Sequence, residues 1–376
     1  MRDQLLNSAQ RLHAYLLRRH YERGLLPGPD SGVRFNLRAW RFLRSALDFL
    51  PWKDDYIFTQ TQGYWVLANW MLFEATGEAR FREVALESTK ATMALETAEG
   101  YWAYPLPERK HLIATLEGIW GASPLLASFT REPRREFLEG AVRAYDFIMK
   151  RIGFQDHPHG KAINYFDRPR GKVPNNSVIA AWFFLRLWKT TGDARFLEHV
   201  KPLLDFIEAV QLPSGEIPYI VASPYERARK HYLCFQYNAY QFLHLAWSAR
   251  LKPDLVAPSI LARLAGYLQT GVKPTGACAN NCASAARSGG REVDYYTAAM
   301  GAALHEAAKM GLVENTTLSK RCYGRVLGHQ KSDGSFGFST GDYGFLRDQR
   351  SYPRPQAMTL FHLLYGCSLG DGFKDN

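Results

Sequence analysis

The sequence predicts an all-α fold, an (α/α)6 toroid in which six inner helices are ringed by six outer ones. Three observations carry that expectation. "TGEARFREVAL" (76–86) and "TGDARFLEHVK" (191–201) are near copies, each closing an apolar helix and opening an amphipathic one. A glycine followed by a short aromatic or apolar stretch recurs in "GYWAY", "GKAINY", "GEIPY", "GAC" and "GSFGF". Segments with almost no solvated face alternate with amphipathic ones six times, and a helix apolar all round belongs in an interior.

The elements follow in order. Amphipathic helices are expected near 3–22, 78–97, 131–152, 193–211, 255–270 and 315–330, with buried helices near 55–76, 107–128, 174–191, 229–250, 291–311 and 353–367. Thr-Gly pairs end two of the buried helices, and the acidic residue that follows suits the dipole of the next. The glycine stretches are expected to be brief extended turns rather than full strands. "NLRAWRFLRSALDFL" (36–50) is expected to be an extra helix across the first repeat. No linker divides the chain, so 1–376 is expected to be one domain.

With 376 residues, 46% hydrophobic and 22% charged, the chain can bury a sizeable core. No apolar run is long enough to span a membrane. The first helix lacks the apolar stretch of a secretory signal. Five scattered cysteines suggest reduced thiols and a cytoplasmic setting. A formal charge of +11 favours an anionic partner. No helix-turn-helix, zinc-finger or RNA-binding signature appears, so an anionic small molecule or oligosaccharide is expected rather than nucleic acid. No cofactor is expected: there is no phosphate-cradling glycine loop, and Cys278 and Cys282 of "CANNC" read as a chance pair of thiols, leaving no metal site. The sequence leaves the oligomeric state open.

In such a ring all inner helices start on one face, so their first turns are expected to line a mouth. Those turns supply Gln62 and Tyr64, then Trp102, Tyr104 and Glu108, then Asn175 and Asn176. The fourth supplies Arg227, Arg229, His231, Tyr232, Gln236, Tyr237 and Asn238. The fifth and sixth supply Glu292, Asp294 and Tyr295, then Arg350, Tyr352 and Arg354. Aromatic faces stack on sugar rings, amides bond hydroxyls both ways, and arginine forks grip carboxylate or sulfate. The expected role is therefore a carbohydrate-active enzyme acting on an acidic, uronate-type saccharide. Proton abstraction beside a sugar carboxylate needs a base, an acid and charge neutralisation, for which His231, Tyr232 and Tyr237 are candidates. Glycoside hydrolysis would need carboxyls such as Glu108, Glu292 and Asp294.

Asn175 and Asn176 followed by 227–238 resemble the helical-toroid polysaccharide lyases, although Ser177 stands where that pattern has histidine. The resemblance implies that the asparagine neutralises a carboxylate while histidine and tyrosine move protons. "FTQTQGYWVLANWMLFEATGEARF" resembles a repeat of six-hairpin glycosidases and uronyl epimerases, which implies the hairpin. "RCYGRVLGHQKSDGSFGF", with Gln330, Gly334 and Phe336, resembles the Gln-Trp repeat of terpenoid cyclases, and "FIEAVQLPSGEIPY" is a weaker copy. That resemblance implies outer helices tied together, with prenyl-diphosphate chemistry as an alternative activity. A non-catalytic glycan-binding toroid is a third alternative.

Overall fold

The computed structural model describes residues 1–31, 47, 50, 52–282, 291–342 and 346–367. The helix expected at 36–50 lies almost wholly outside them. Six inner helices are α2 (Thr59–Thr76), α4 (Thr115–Phe129), α6 (Pro174–Thr191), α8 (Cys234–Leu251), α10 (Asp294–Lys309) and α12 (Pro353–Cys367). Each packs on the next, and α12 closes the ring against α2. The outer helices are α1 (Arg2–Arg19), α3 (Ala79–Met93), α5 (Arg135–Phe147), α7 (Val200–Val210), α9 (Pro258–Gln269) and α11 (Thr317–Leu327). The chain's first helix packs on its last, α12, so the ring closes as a toroid rather than opening as a solenoid. No helix among the described residues is long and apolar enough to cross a membrane.

The glycine repeats are the joints of the outer ring. At Gly334 φ is +94°, and an added Cβ would stand 2.5 Å from the Arg11 carbonyl oxygen on α1. At Gly215 φ is +90°, with 2.2 Å to the Arg263 carbonyl on α9. Only glycine combines that backbone with so close an approach. At these two positions a glutamine four residues earlier completes the joint. Gln330 Nε2 donates to the carbonyls of Gly334 and Ser8, and Gln211 Nε2 to those of Gly215 and Ile260. The two Gln…Gly stretches thus tie neighbouring outer helices, as their resemblance implied.

Inner helices grip the extended turns in the same repetitive way. Gln62 brackets Leu26, Asn238 brackets Ile217, and Gln356 brackets Phe336, each accepting from the backbone N–H and donating to the carbonyl. Most turns form only isolated bridges. The exception is "GKAINY", where β1 (Phe154–His157) and β2 (Gly160–Ile163) make a true antiparallel hairpin in the register Phe154 to Ile163. Near the last repeats, β3 (Glu292–Val293), β4 (Ser339–Asp342) and β5 (Leu346–Asp348) form a small antiparallel sheet.

Candidate active site on the toroid axis

The mouth is built around Arg354 in the first turn of α12. Its Nε and one terminal nitrogen each donate to the Asp30 carboxylate at 2.8 Å, and another nitrogen reaches Gln60 Oε1 at 3.1 Å. Phe58 lies under the guanidinium, 4.7 Å from its carbon to the ring centre. Burial opposes the charge, but Asp30 more than offsets it, and the pKa rises. Tyrosines crowd this neck. Tyr104 and Tyr295 stand close enough to Arg354 to feel its charge. Tyr219, Tyr232 and Tyr237 form a mutually packed trio, with ring centres 4.7, 5.0 and 6.2 Å apart. Arg229 covers the Tyr232 face at 4.0 Å. Burial raises the phenol pKa of Tyr104, Tyr219, Tyr237 and Tyr295, so all four stay protonated donors. Beside the neck a cavity of about 580 Å³ is walled by Arg109, Arg168, Arg170, Tyr165, Tyr219 and Glu226.

Beneath the neck lies a buried cluster that sequence reasoning missed. His244 on α8 packs against Trp182 at 5.0 Å and Trp120 at 6.1 Å, and Trp120 packs on Tyr64 at 4.4 Å. Tyr64 and Tyr240 in turn flank His362 of α12, at 5.6 and 5.8 Å. His244 Nδ1 lies 2.7 Å from the Tyr240 carbonyl one turn back. A carbonyl only accepts, so Nδ1 carries the hydrogen and Nε2 keeps its lone pair. That Nε2, both amide atoms of Asn176 and the Gln241 amide oxygen have no protein partner, though all are buried, while His362 has only a poorly aligned approach to the Met358 carbonyl and the Tyr240 hydroxyl only one to Gln236. Burial lowers the pKa of His244 to about 4 and of His362 to about 3, so both imidazoles are neutral near pH 7. His244 is near enough to add to the lowering at His362. Buried polar atoms are normally paired, and a group of them left open on one axis suits a polar guest.

The structure thus brings Tyr104, Tyr295 and Arg354 to the neck, Tyr232, Tyr237 and Arg229 to its flank, and Asn176 and Gln236 below. The remaining candidates go elsewhere. Gln62 and Asn238 are consumed in bracketing turns, so their amides have nothing left for a sugar. Trp102 is core, its Nε1 donating to the Thr92 carbonyl. Tyr64 is buried within the axial cluster, against Trp120 and His362, and Asn175 is buried with its Oδ1 unpartnered. Arg350 donates to the Leu47 and Leu50 carbonyls, and the Tyr352 hydroxyl to Asp348 at 2.8 Å. Glu108 and Arg227 are exposed, the former on a single 3-10 turn at Pro107–Arg109.

His231, Asn176 and Asp294 were expected around one hollow, and each has a different setting. His231 Nδ1 meets Glu216 Oε2 at 2.9 Å. Asp294 pairs with His329 at 2.7 Å and Glu292 with Arg325 at 2.7 Å. Both carboxylates wall a separate cavity of about 470 Å³ with Arg325, His329, Lys331 and Asp348. Burial raises the Asp294 pKa against the pull of His329. At Glu292 burial is outweighed by Arg325 and Lys273, and the pKa falls.

No described protein family matches the sequence, and no curated protein matches it. Solved structures do match the fold. A cellobiose 2-epimerase from Bacillus thermoamylovorans B4167 superposes with a TM-score of 0.75 at 11% identity, covering 97% of this chain and 99% of that one. A possible GH105 member from Salmonella enterica serovar Paratyphi A gives 0.68 at 14% identity, covering 97% and 93%. The GH76A α-1,6-mannanase of Salegentibacter sp. HEL1_6 gives 0.67 at 12% identity, covering 96% and 98%. At these identities the likeness establishes the toroid and leaves the chemistry to the site.

Proposed function

We propose that the chain is a carbohydrate-active enzyme that moves a proton on an acidic saccharide, as an epimerase or lyase does. The observation that supports this reading is the pair of buried, neutral histidines on two inner helices, with His244 Nε2 left without a protein partner. A neutral imidazole with an open Nε2 is a base, and a second one nearby can return the proton. His244 takes the role of base, with Nδ1–H fixed on the Tyr240 carbonyl, and His362 is the second proton carrier. Tyr240, Asn176 and Gln236 offer hydrogen bonds to sugar hydroxyls or to the oxygen that gains charge as the C–H bond breaks. Arg354 at the neck and Arg109, Arg168 and Arg170 beside it supply the positive field that an anionic sugar needs.

Hydrolysis is favoured less. Glycosidases work with two carboxyls flanking the bond. At the neck, Asp30 is committed to Arg354, while Glu117 Oε2 accepts from the N–H and the hydroxyl of Thr59.

The test is incubation in D2O with reducing disaccharides and uronate oligosaccharides, followed by NMR. Deuterium appearing at the carbon beside the carbonyl or carboxylate, with epimer or unsaturated product, is the expected result. New reducing ends without deuterium would replace proton transfer by hydrolysis. Binding with neither change would leave a glycan-binding toroid, and consumption of a prenyl diphosphate would move the chain to terpenoid chemistry.

A further inference from the structure

Apart from the axis, three distant segments place four metal-ligating side chains together. Glu216 comes from the turn after α7, His231 and Cys234 from the start of α8, and Cys282 from the loop before α10. Their ligand atoms all lie within 4.8 Å of one another. Cys234 Sγ is 3.7 Å from Cys282 Sγ, Cys282 Sγ is 3.3 Å from His231 Nδ1, and that nitrogen is 2.9 Å from Glu216 Oε2. We propose that Cys234, Cys282, His231 and Glu216 bind one zinc ion.

Four arguments support the assignment. The first is chemical: two thiols, an imidazole and a carboxylate form a donor set suited to zinc. The second is metric. Tetrahedral zinc, with about 2.3 Å to sulfur and about 2.0–2.1 Å to nitrogen and oxygen, spaces its ligand atoms roughly 3.3–3.8 Å apart. The 3.7 and 3.3 Å separations match that range, the 2.9 Å one falls a few tenths of an ångström short of it, and the other pairs lie within 4.8 Å, so small side-chain shifts bring the four atoms to a common centre.

The third argument is hydrogen-bond economy. His231 Nδ1 faces a carboxylate oxygen and a sulfur at once, although a ring nitrogen serves one partner well. Glu216 is buried and its second oxygen, Oε1, has no protein partner. A cation at the centre gives every lone pair a partner. The fourth is backbone preparation. Between His231 and Cys234, Leu233 sits in the left-handed region at φ +44°, ψ +46°, which a branched residue rarely adopts. Its N–H donates to Asn281 Oδ1 at 2.8 Å, which clamps the Cys282 loop to the helix start. Local strain held by such a clamp turns His231 and Cys234 toward the same point.

With four protein ligands the site is closed, so the ion holds rather than reacts. It ties the start of α8 to the loop before α10 and to the turn after α7. Of the two "CANNC" cysteines, read from the sequence as a chance pair of thiols with no metal site, only Cys282 joins the cluster, and the buried Cys278 thiol points to the Ala279 carbonyl.

The inference does not rest on the saccharide reading, and its test reads metal directly. Full-length protein purified without chelator is expected to carry one zinc per chain by elemental mass spectrometry. Cys234→Ala and Cys282→Ala lose it, while Cys322→Ala keeps it. Cobalt(II) added to stripped wild-type protein should give tetrahedral ligand-field bands and a sulfur-to-cobalt charge-transfer band. Glu216→Gln, which keeps both thiols, should release zinc to a chelator roughly tenfold faster. Wild-type protein with neither zinc nor the cobalt spectrum would overturn the site, as would a Cys234–Cys282 disulfide in protein as purified. Folded cysteine variants that retain zinc would overturn it too. If those variants misfold, the wild-type charge-transfer band decides.

Discussion

Two buried polar regions of this molecule look alike in the sequence and differ in the structure. Between the rings, the glutamine amides of the repeated joints donate to backbone carbonyls. His13 on α1 is partnered too: its Nε2 donates to Asn69 Oδ1 at 2.8 Å and its ring stacks on Trp65 at 4.7 Å. Along the axis, His244 and His362 are buried as deeply, yet nitrogens on both rings lack protein partners. A satisfied polar group in a wall stabilises the fold, whereas an unsatisfied one costs stability and is kept for what it binds.

The sharpest way to break that contrast is to exchange histidines across it. His244→Gln and His362→Gln should each lower turnover roughly 10²–10⁴-fold, the scale of a lost general acid or base, with little change in melting temperature. His13→Gln should do the reverse, lowering the melting temperature while turnover per folded molecule stays near wild type. Full turnover in His362→Gln would remove the axis from the chemistry.

Acid pH tests both regions together. Burial lowers His13 and His244 to about 4 and His362 to about 3 in the folded chain. In the unfolded chain each takes up a proton near pH 6.5. The unfolded state therefore binds more protons as pH falls, so stability is full above about 6.5 and is lost between there and about 4. The loss is on the order of 3 kcal/mol per histidine when complete. Melting curves from pH 7.5 to 4.5 should show it, and His13→Gln should have a shallower slope. A flat profile would mean that these rings are hydrated or charged in the fold.

The ring joints predict a smaller effect. Gly334→Ala forces a Cβ against the Arg11 carbonyl at positive φ and should destabilise by roughly 1–3 kcal/mol, visible as a lower urea midpoint. Gln330→Ala, which frees the Ser8 and Gly334 carbonyls, should cost about 1–3 kcal/mol. Neither change should alter turnover per folded molecule. If either does, the joints reach the axis.

The sequence made the wall legible because it repeats. Glycine and the apolar-to-amphipathic switch recur at fixed places, so twelve helices could be placed, most within about five residues, although the inner helix expected from 107 starts at Thr115 and the outer one expected from 193 at Val200. The π-turn at Ile148–Ile152 after α5 and the 3-10 turn at Ala194–Leu197 before α7 are the main departures from the outer-helix expectations. The axis was less legible because His244 and His362 sit two or three turns into the inner helices. Those turns look like core, and reading only first turns credited Gln62 and Asn238 with ligand roles that their bracketing hydrogen bonds exclude. The available signal was a lone histidine inside an apolar run, "QFLHLAW" and "TLFHLLY", on two inner helices. The zinc cage hid for another reason: its His-x-x-Cys pair is local, but Cys282 and Glu216 join only through the fold.

The smallest effect belongs to the approach to the axis. Arg168 and Arg170 wall the cavity beside the neck, both exposed, and Arg168 lies 3.5 Å from Asp167. Exposed charges act over about 8–10 Å at moderate ionic strength and fade as salt rises. The Arg168→Ala, Arg170→Ala double variant should therefore raise KM for a uronate substrate about two- to fivefold at low salt, leave kcat unchanged, and converge on wild type near 0.5 M salt, as steering charges at a rim do. A neutral disaccharide should show no difference between the two proteins. An equal penalty on neutral and acidic sugars would mean that these arginines shape the cavity wall, and the preference for anions would then have to arise at Arg354.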